Sequence, residues 1–231
     1  MYVIFADGSS RGNPGPGGWG VLIIGPDRVK ELGGRENTTT NNIMELTAAY
    51  EALQSLSNTR EKIIFFADSQ YVLRGITSWV KSWQKNGWLT TKKEPVENRA
   101  LWVKLINASD GKDIDWRYSP GHRGVLGNEI VDQIATSFAD DMNEGLFFAP
   151  RAEYEKKKNV RINDILSFTG RETARRAAPY YLAYLNGEAR SFKTWDECKR
   201  FVSGARGAKY KKVFSTEEEE RTLRGWRERY Y

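Results

Sequence analysis

The 231 residues predict an α/β fold: a five-stranded mixed sheet flanked by helices, followed by a small α+β domain of three strands and two helices. Three observations predict it. The runs YVIFA (Tyr2–Ala6) and IIFFA (Ile63–Ala67) are short, unbroken and rich in β-branched and aromatic residues, as buried strands are. Strands open the chain in a run and then alternate with stretches of 3.6-residue apolar period, a pattern of mixed sheets with helices on their faces. Beyond residue 178 the period changes to strict alternation around Asn186-Gly187, a hairpin signal.

The first strand, Tyr2–Ala6, is followed by strands at Trp19–Ile24 and near Val29–Leu32. A helix then places Leu46, Ala49, Tyr50, Leu53 and Leu56 on one stripe. Ile63–Ala67 is the fourth strand and Ile114–Tyr118 the fifth, with helices between them. A last helix keeps Val131, Ile134, Ala135 and Phe138 together, with Asp132 beside the stripe. Residues 1–142 form the first domain. Residues 143–178 carry mixed charge and weak periodicity, which predicts a linker with at most one short helix. Residues 179–231 read β-β-α-β-α: YYLAYLNGEARSF as a hairpin, TWDECKRFV as a helix with a Thr194/Glu197 capping box, AKYKKVF as a strand, and a closing helix.

Composition narrows the class. Hydrophobic content of 39% supports a core. No apolar run approaches the roughly 20 residues of a membrane span, and the start lacks the basic and apolar regions of a signal peptide. The single cysteine, Cys198, excludes an internal disulfide and a Cys-rich zinc site. A reducing, cytoplasmic setting and a monomer are the expectations. From residue 145 on there are 20 Lys+Arg against 12 Asp+Glu, whereas residues 1–144 hold 16 against 18. A basic tail behind an acidic body points to a polyanionic partner.

The acids themselves are suggestive. Asp7 and Asp68 close the two buried runs, and Glu45 and Asp132 lie on the two amphipathic helices. Carboxylates at the ends of buried strands need a partner to stay ionised, and Mg²⁺ prefers oxygen ligands. The loop DGSSRGNPGPGGWG lacks the Gly-Lys-Ser/Thr ending of a phosphate loop and leads into a strand. A tight turn between antiparallel strands accounts for most of its glycines. Asp7 and Asn13 are left for another purpose.

Four segments, DGSSRGNPGPGGWG, TTNNIMELTAAYEAL, FFADSQYVLRGITSWVKSWQKNGW and SPGHRGVLGNEIVDQIA, together resemble type 1 ribonuclease H in order and spacing. The resemblance implies a ribonuclease H-like sheet and an endonuclease that hydrolyses the RNA strand of RNA/DNA hybrids, leaving 5′-phosphate and 3′-hydroxyl ends. It places Asp7, Glu45, Asp68 and Asp132 on the family's metal-binding carboxylates, for two Mg²⁺ ions with Mn²⁺ as a substitute. It makes His122 the catalytic histidine, which would handle protons or help release product and metal near the scissile phosphate. It assigns Asn13, Asn41, Asn42 and Gln70 to the minor groove of the substrate, and Thr40 with Asn41 to a phosphate. Helix capping is the plain alternative for Asn41 and Asn42. Trp79, Lys81, Trp83 and Lys85 resemble the family's basic protrusion, although an i, i+4 tryptophan pair also suits core packing.

The stretch YLAYLNGEARSFKTWDECKRFVSGARGAKYKKVF resembles the hybrid-binding domain shared with viroplasmin proteins. By that resemblance Trp195, Tyr210, Lys211 and Lys212 contact an RNA/DNA hybrid, with double-stranded RNA as the alternative ligand. Core packing is the competing role for Trp195 and Tyr210. The domain usually precedes the catalytic one, and Leu182 stands where an aromatic is expected. A non-catalytic hybrid- or RNA-binding protein is the rival to the enzyme, and the presence of all four carboxylates argues against it.

Overall fold

The structure is a computed structural model that describes residues 1–120, 124–142, 145–173, 180–185, 188–205, 207–213, 219, 222, 223, 225 and 226. The chain divides into two compact units, Met1–Phe168 and Thr169–Tyr231. No helix among the described residues is long and apolar enough to cross a membrane.

In the first unit the strands are β1 (Tyr2–Ser10), β2 (Gly15–Ile24), β3 (Arg28–Thr39), β4 (Ile63–Ala67), β5 (Ile114–Tyr118) and β6 (Phe148–Pro150). They lie in the order β5-β4-β1-β2-β3-β6. β4 runs parallel to β1 and β5, whereas β1, β2, β3 and β6 are successively antiparallel. The mixed sheet is as expected, but it has six strands. The sixth comes from the stretch expected to be a linker.

Because side chains alternate across a strand, the sheet has two apolar faces. One carries Ile4, Ala6, Val21, Ile23, Ile63 and Phe65, covered by α1 (Asn41–Gln54) and α4 (Arg99–Ser109). Between them the chain forms α2 (Gln70–Arg74), a π-helical turn (Gly75–Trp79) and α3 (Val80–Lys85). The other face carries Val3, Phe5, Leu22, Ile24, Ile64 and Phe66 under α5 (Leu126–Ala139).

That second face also takes Tyr154, Ile162 and Ile165, each 3% exposed or less. They come from α6 (Arg151–Lys158) and α7 (Ile162–Thr173). Arg151 donates to Gly25 O at 2.9 and 2.6 Å, and the Tyr154 hydroxyl donates to Glu31 at 2.8 Å. The expected linker at 143–178 and boundary at 142 are therefore replaced by a strand and helices packed into the first unit as far as Phe168. The reason is sparse but strong burial. A few large apolar residues dispersed among charges show weak periodicity, yet each fills the core.

The second unit has a three-stranded antiparallel sheet, β8-β7-β9, made of β7 (Tyr180–Leu185), β8 (Glu188–Phe192) and β9 (Lys209–Val213). α8 (Trp195–Val202) begins with the expected capping box: Glu197 N donates to Thr194 Oγ1 at 3.3 Å and Thr194 N to Glu197 Oε2 at 3.0 Å. The Asn186-Gly187 turn and most of the expected closing helix lie outside the described residues.

Candidate active site

The carboxylates meet beside the sheet, within β1 and just past the end of β4. Asp7 lies on β1 opposite Gly20, and Asp68 follows β4. Glu45 comes from α1 on one face and Asp132 from α5 on the other. Two glycines make the helices' close approach possible. A Cβ at Gly8 would stand 2.3 Å from Glu45 N, and one at Gly20 would stand 2.4 Å from Val131 O. Most of the glycines expected in a turn lie instead in β2, which starts at Gly15.

Ligand oxygens of Asp7, Glu45 and Asp68 all fall within 4.8 Å of one another. Burial, then the charges of Asp68 and Asp132, push Asp7 up to about 8. Burial, then Asp7 and Asp68, hold Glu45 well above the usual carboxylate range. Among the described residues, the charges acting on these two groups are other carboxylates. Such a set fits a hard divalent cation, which offsets the repulsion and displaces the protons. Asp132 joins the cluster through a hydrogen bond to Asp7.

The start of α1 ties neighbouring amides to this cluster. Thr40 is its N-cap, accepting from Ile43 N at 3.4 Å, so capping falls to Thr40 and leaves the side chains of Asn41 and Asn42 for other contacts. Asn41 N donates to Asn13 Oδ1 at 3.3 Å, and Asn41 Nδ2 donates to Glu45 Oε1 at 3.4 Å. Asn42 is exposed on the same turn. Gln70, exposed at the start of α2, accepts from Arg74 at 3.1 Å. His122 lies outside the described residues.

Trp79 and Trp83 differ in how far they are buried. Trp83 stacks edge-on against the buried Trp102 at 5.5 Å between centroids, whereas Trp79 is 37% exposed. Their rings are 5.7 Å apart, and Lys81 and Lys85 are exposed beside them.

In the second unit Trp195 lies between Tyr210, at 5.1 Å, and Tyr181, at 5.4 Å. Lys212 sits over the Tyr181 ring at 5.7 Å. Tyr210 is 54% exposed, so this is a surface platform and not a core cluster. Lys211 pairs with Leu182 and lies on the opposite face of the sheet from Tyr210 and Lys212. The aromatic beside Trp195 is Tyr181 and not the residue at 182, since Leu182 is fully buried. The alternation of YYLAYL was the signal that could have found it.

A family model described as RNase H matches residues 1–140. The chain belongs to the ribonuclease H family. A model described as the Ribonuclease H1 N-terminal domain matches residues 190–219, here after the nuclease region. Among curated relatives, the ribonuclease H of Alcanivorax borkumensis is 49% identical over 140 residues, which is 61% of this chain and 92% of that protein. Ribonuclease HI of Pseudomonas putida is 47% identical over 139 residues, 60% of this chain and 93% of that protein. The crystal structure of LC9-RNase H1, a type 1 RNase H with the type 2 active-site motif, covers 72% of this chain and 83% of its own, with a TM-score of 0.58 and 30% identity. The solution structure of the PFV RNase H domain, at 22% identity and a TM-score of 0.53, covers 62% of this chain and 96% of its own and shares the fold.

Proposed function

We propose that the chain is an endoribonuclease that hydrolyses the RNA strand of RNA/DNA hybrids, leaving 5′-phosphate and 3′-hydroxyl ends. The observation that carries this is the cluster of Asp7, Glu45 and Asp68 within 4.8 Å, joined by Asp132 through its hydrogen bond to Asp7. Asp7, Glu45, Asp68 and Asp132 would hold two Mg²⁺ ions, or Mn²⁺ in their place. When bound, such a pair supplies a clamp for the attacking and leaving oxygens of an in-line displacement.

The chain's own groups do the rest. The carboxylates are set by sheet and glycine contacts, so little reorganisation is needed when substrate arrives. Asn13, Asn41, Asn42 and Gln70 offer short amides suited to 2′-hydroxyls and base edges in a shallow groove. Thr40 with Asn41 suits a phosphate at the start of α1. His122 is assigned the proton handling at the scissile phosphate. Trp79, Trp83, Lys81 and Lys85 would grip the DNA strand. Trp195, Tyr210 and Lys212, with Tyr181, would form a stacking and phosphate platform that tethers the hybrid, and tethering raises local concentration without altering the chemistry.

Cleavage of matched labelled RNA/DNA, RNA/RNA and DNA/DNA duplexes, with Mg²⁺ and with EDTA, tests this directly. Cutting confined to the RNA of the hybrid, and lost with EDTA and in Asp68→Asn, is the expected result. Tight hybrid binding without cutting would establish a non-catalytic binder instead.

A further inference from the structure

Buried polar side-chain atoms without a hydrogen-bond partner occur at three described residues: Thr39 Oγ1, Ser119 Oγ and both amide atoms of Asn128. Asn128 is the most costly of these. It is 1% exposed, and both ends of its amide have lost water without gaining a partner. An apolar side chain of similar size would fill the position at less cost, so packing does not account for the amide. Capping does not either, because the Asn128 backbone amide donates to Val125 O at 2.9 Å and the side chain takes no part.

Its place gives it a use. Asn128 lies four residues before Asp132 on α5, hence on the same helix face about one 5.4 Å turn away. Gly127 next to it is pressed against the Phe5 ring, and Val131 against Gly20, the partner of Asp7. This stretch of α5 therefore packs on β1 and β2 beside the position of Asp7. Ser119, fully buried, stands on the other side: its amide donates at 2.9 Å to Ala67 O, in the residue before Asp68.

Asp132 lies outside the 4.8 Å triad and reaches it through a hydrogen bond to Asp7. We propose that Asn128 is a positioning residue for Asp132, its amide hydrogen-bonding that carboxylate in the cation-loaded chain, with Ser119 in the same role beside Asp68. The inference deepens the nuclease reading and rests on it only for the claim that these carboxylates hold a cation. Outer contacts of this kind orient a ligand and typically change metal affinity about 10- to 100-fold.

The test is calorimetric titration of Mn²⁺ into the full chain without nucleic acid, for the wild type, Asn128→Leu, Asp132→Asn and the double variant. Each is also melted in EDTA. Asn128→Leu is expected to weaken Mn²⁺ binding about 10-fold while its melting temperature in EDTA holds or rises, since the orphaned amide is gone. In the Asp132→Asn background the same change should add nothing. Unchanged Mn²⁺ affinity, or equal weakening in both backgrounds, overturns the proposal. A wild type that binds no Mn²⁺ overturns the cation reading and the proposal with it. Should Asn128→Leu fail to fold, Ser119→Ala with Asp68→Asn as its background carries the same comparison, and an unchanged affinity there is equally fatal.

Discussion

The two faces of the six-stranded sheet are closed by different means. On one, α1 and α4 lie within residues 1–140, the region that matches the family, and they bring the fully buried Trp102 with them. On the other, α5 is joined by Ala149, Tyr154, Ile162 and Ile165, all from beyond residue 140. The Alcanivorax borkumensis and Pseudomonas putida relatives align over about 140 residues, more than nine-tenths of their own length. The nuclease body of this chain is thus larger than its family signature, and the excess lies on one face. The carboxylate cluster takes a member from each side, Glu45 from α1 and Asp132 from α5, so the integrity of both faces bears on it.

Truncation probes the difference hardest. Ending the chain at residue 142 strips Tyr154, Ile162 and Ile165 from the core, and losing each large buried side chain costs about 2–5 kcal/mol. A loss of 5 kcal/mol or more overall corresponds to a melting temperature lower by roughly 10–20 °C for a chain of this size. Ending it after Thr173 keeps the layer, and kcat at saturating hybrid should stay within about twofold while KM rises, as loss of a tether predicts. Circular dichroism melting and steady-state kinetics of the two truncations check this. Equal melting temperatures would mean the layer is ornament and the two faces are alike.

On the family-matched face the corresponding break is Trp102→Ala. Trp102 packs against Tyr71, Trp83 and Gly75, where an added Cβ would stand 1.9 Å from its ring. The expected loss is about 3–5 kcal/mol, read as a shift in urea midpoint at constant slope. Trp83 loses its support too, so hybrid affinity should fall together with stability, whereas the truncation at 173 should lower affinity and leave stability unchanged.

How much of this was legible depends on how local its cause is. Asp7, Glu45, Asp68 and Asp132 could be read because each sits on an element whose periodicity is strong: two unbroken apolar runs and two amphipathic helices. The Thr194 capping box is likewise a signal contained in four residues. The layer from Phe148 to Ile165 was not legible, since its apolar residues are separated by EKKKNVR and its strand has only three residues. Its hold is tertiary, through Arg151 on Gly25 and Tyr154 on Glu31. The glycines of β2 were misread for the same reason, because their value lies in the helix across from them and not in the loop before them. Tyr181 was lost by a slip of one residue, which in a strand exchanges the two faces.

At the seam between the faces, pH should expose the carboxylates. Burial lifts Asp7 to about 8, so the folded chain holds that proton more tightly than the unfolded chain, whose aspartate titrates near 4. The stabilisation is complete below about pH 4 and is lost as the pH rises through about 8. In EDTA the melting temperature should therefore fall between pH 5 and 8. Saturating Mg²⁺ should recover several degrees at pH 8 and little at pH 5, with proton release on binding at pH 7. A melting temperature in EDTA that climbs steadily from pH 5 to 8 would refute the assignment.

The smallest change expected is Tyr154→Phe, and it separates two ways the outer layer can hold. The Tyr154 hydroxyl donates to Glu31 at 2.8 Å, and burial followed by the charge of Glu31 keeps that phenol above its ordinary range and protonated. Removing the hydroxyl leaves the ring in place, so the apolar contribution to the core survives. Glu31, itself 3% exposed, keeps Lys158 at 3.0 Å and the Phe147 amide at 3.2 Å. It is not stranded, and the loss should stay near 1–2 kcal/mol. Tyr154→Ala removes ring and hydroxyl together and should cost about 3–5 kcal/mol, approaching the Trp102→Ala loss on the other face. If Tyr154→Phe costs as much as Tyr154→Ala, the layer is held by its buried polar clamp, and the two faces differ in kind as well as in origin.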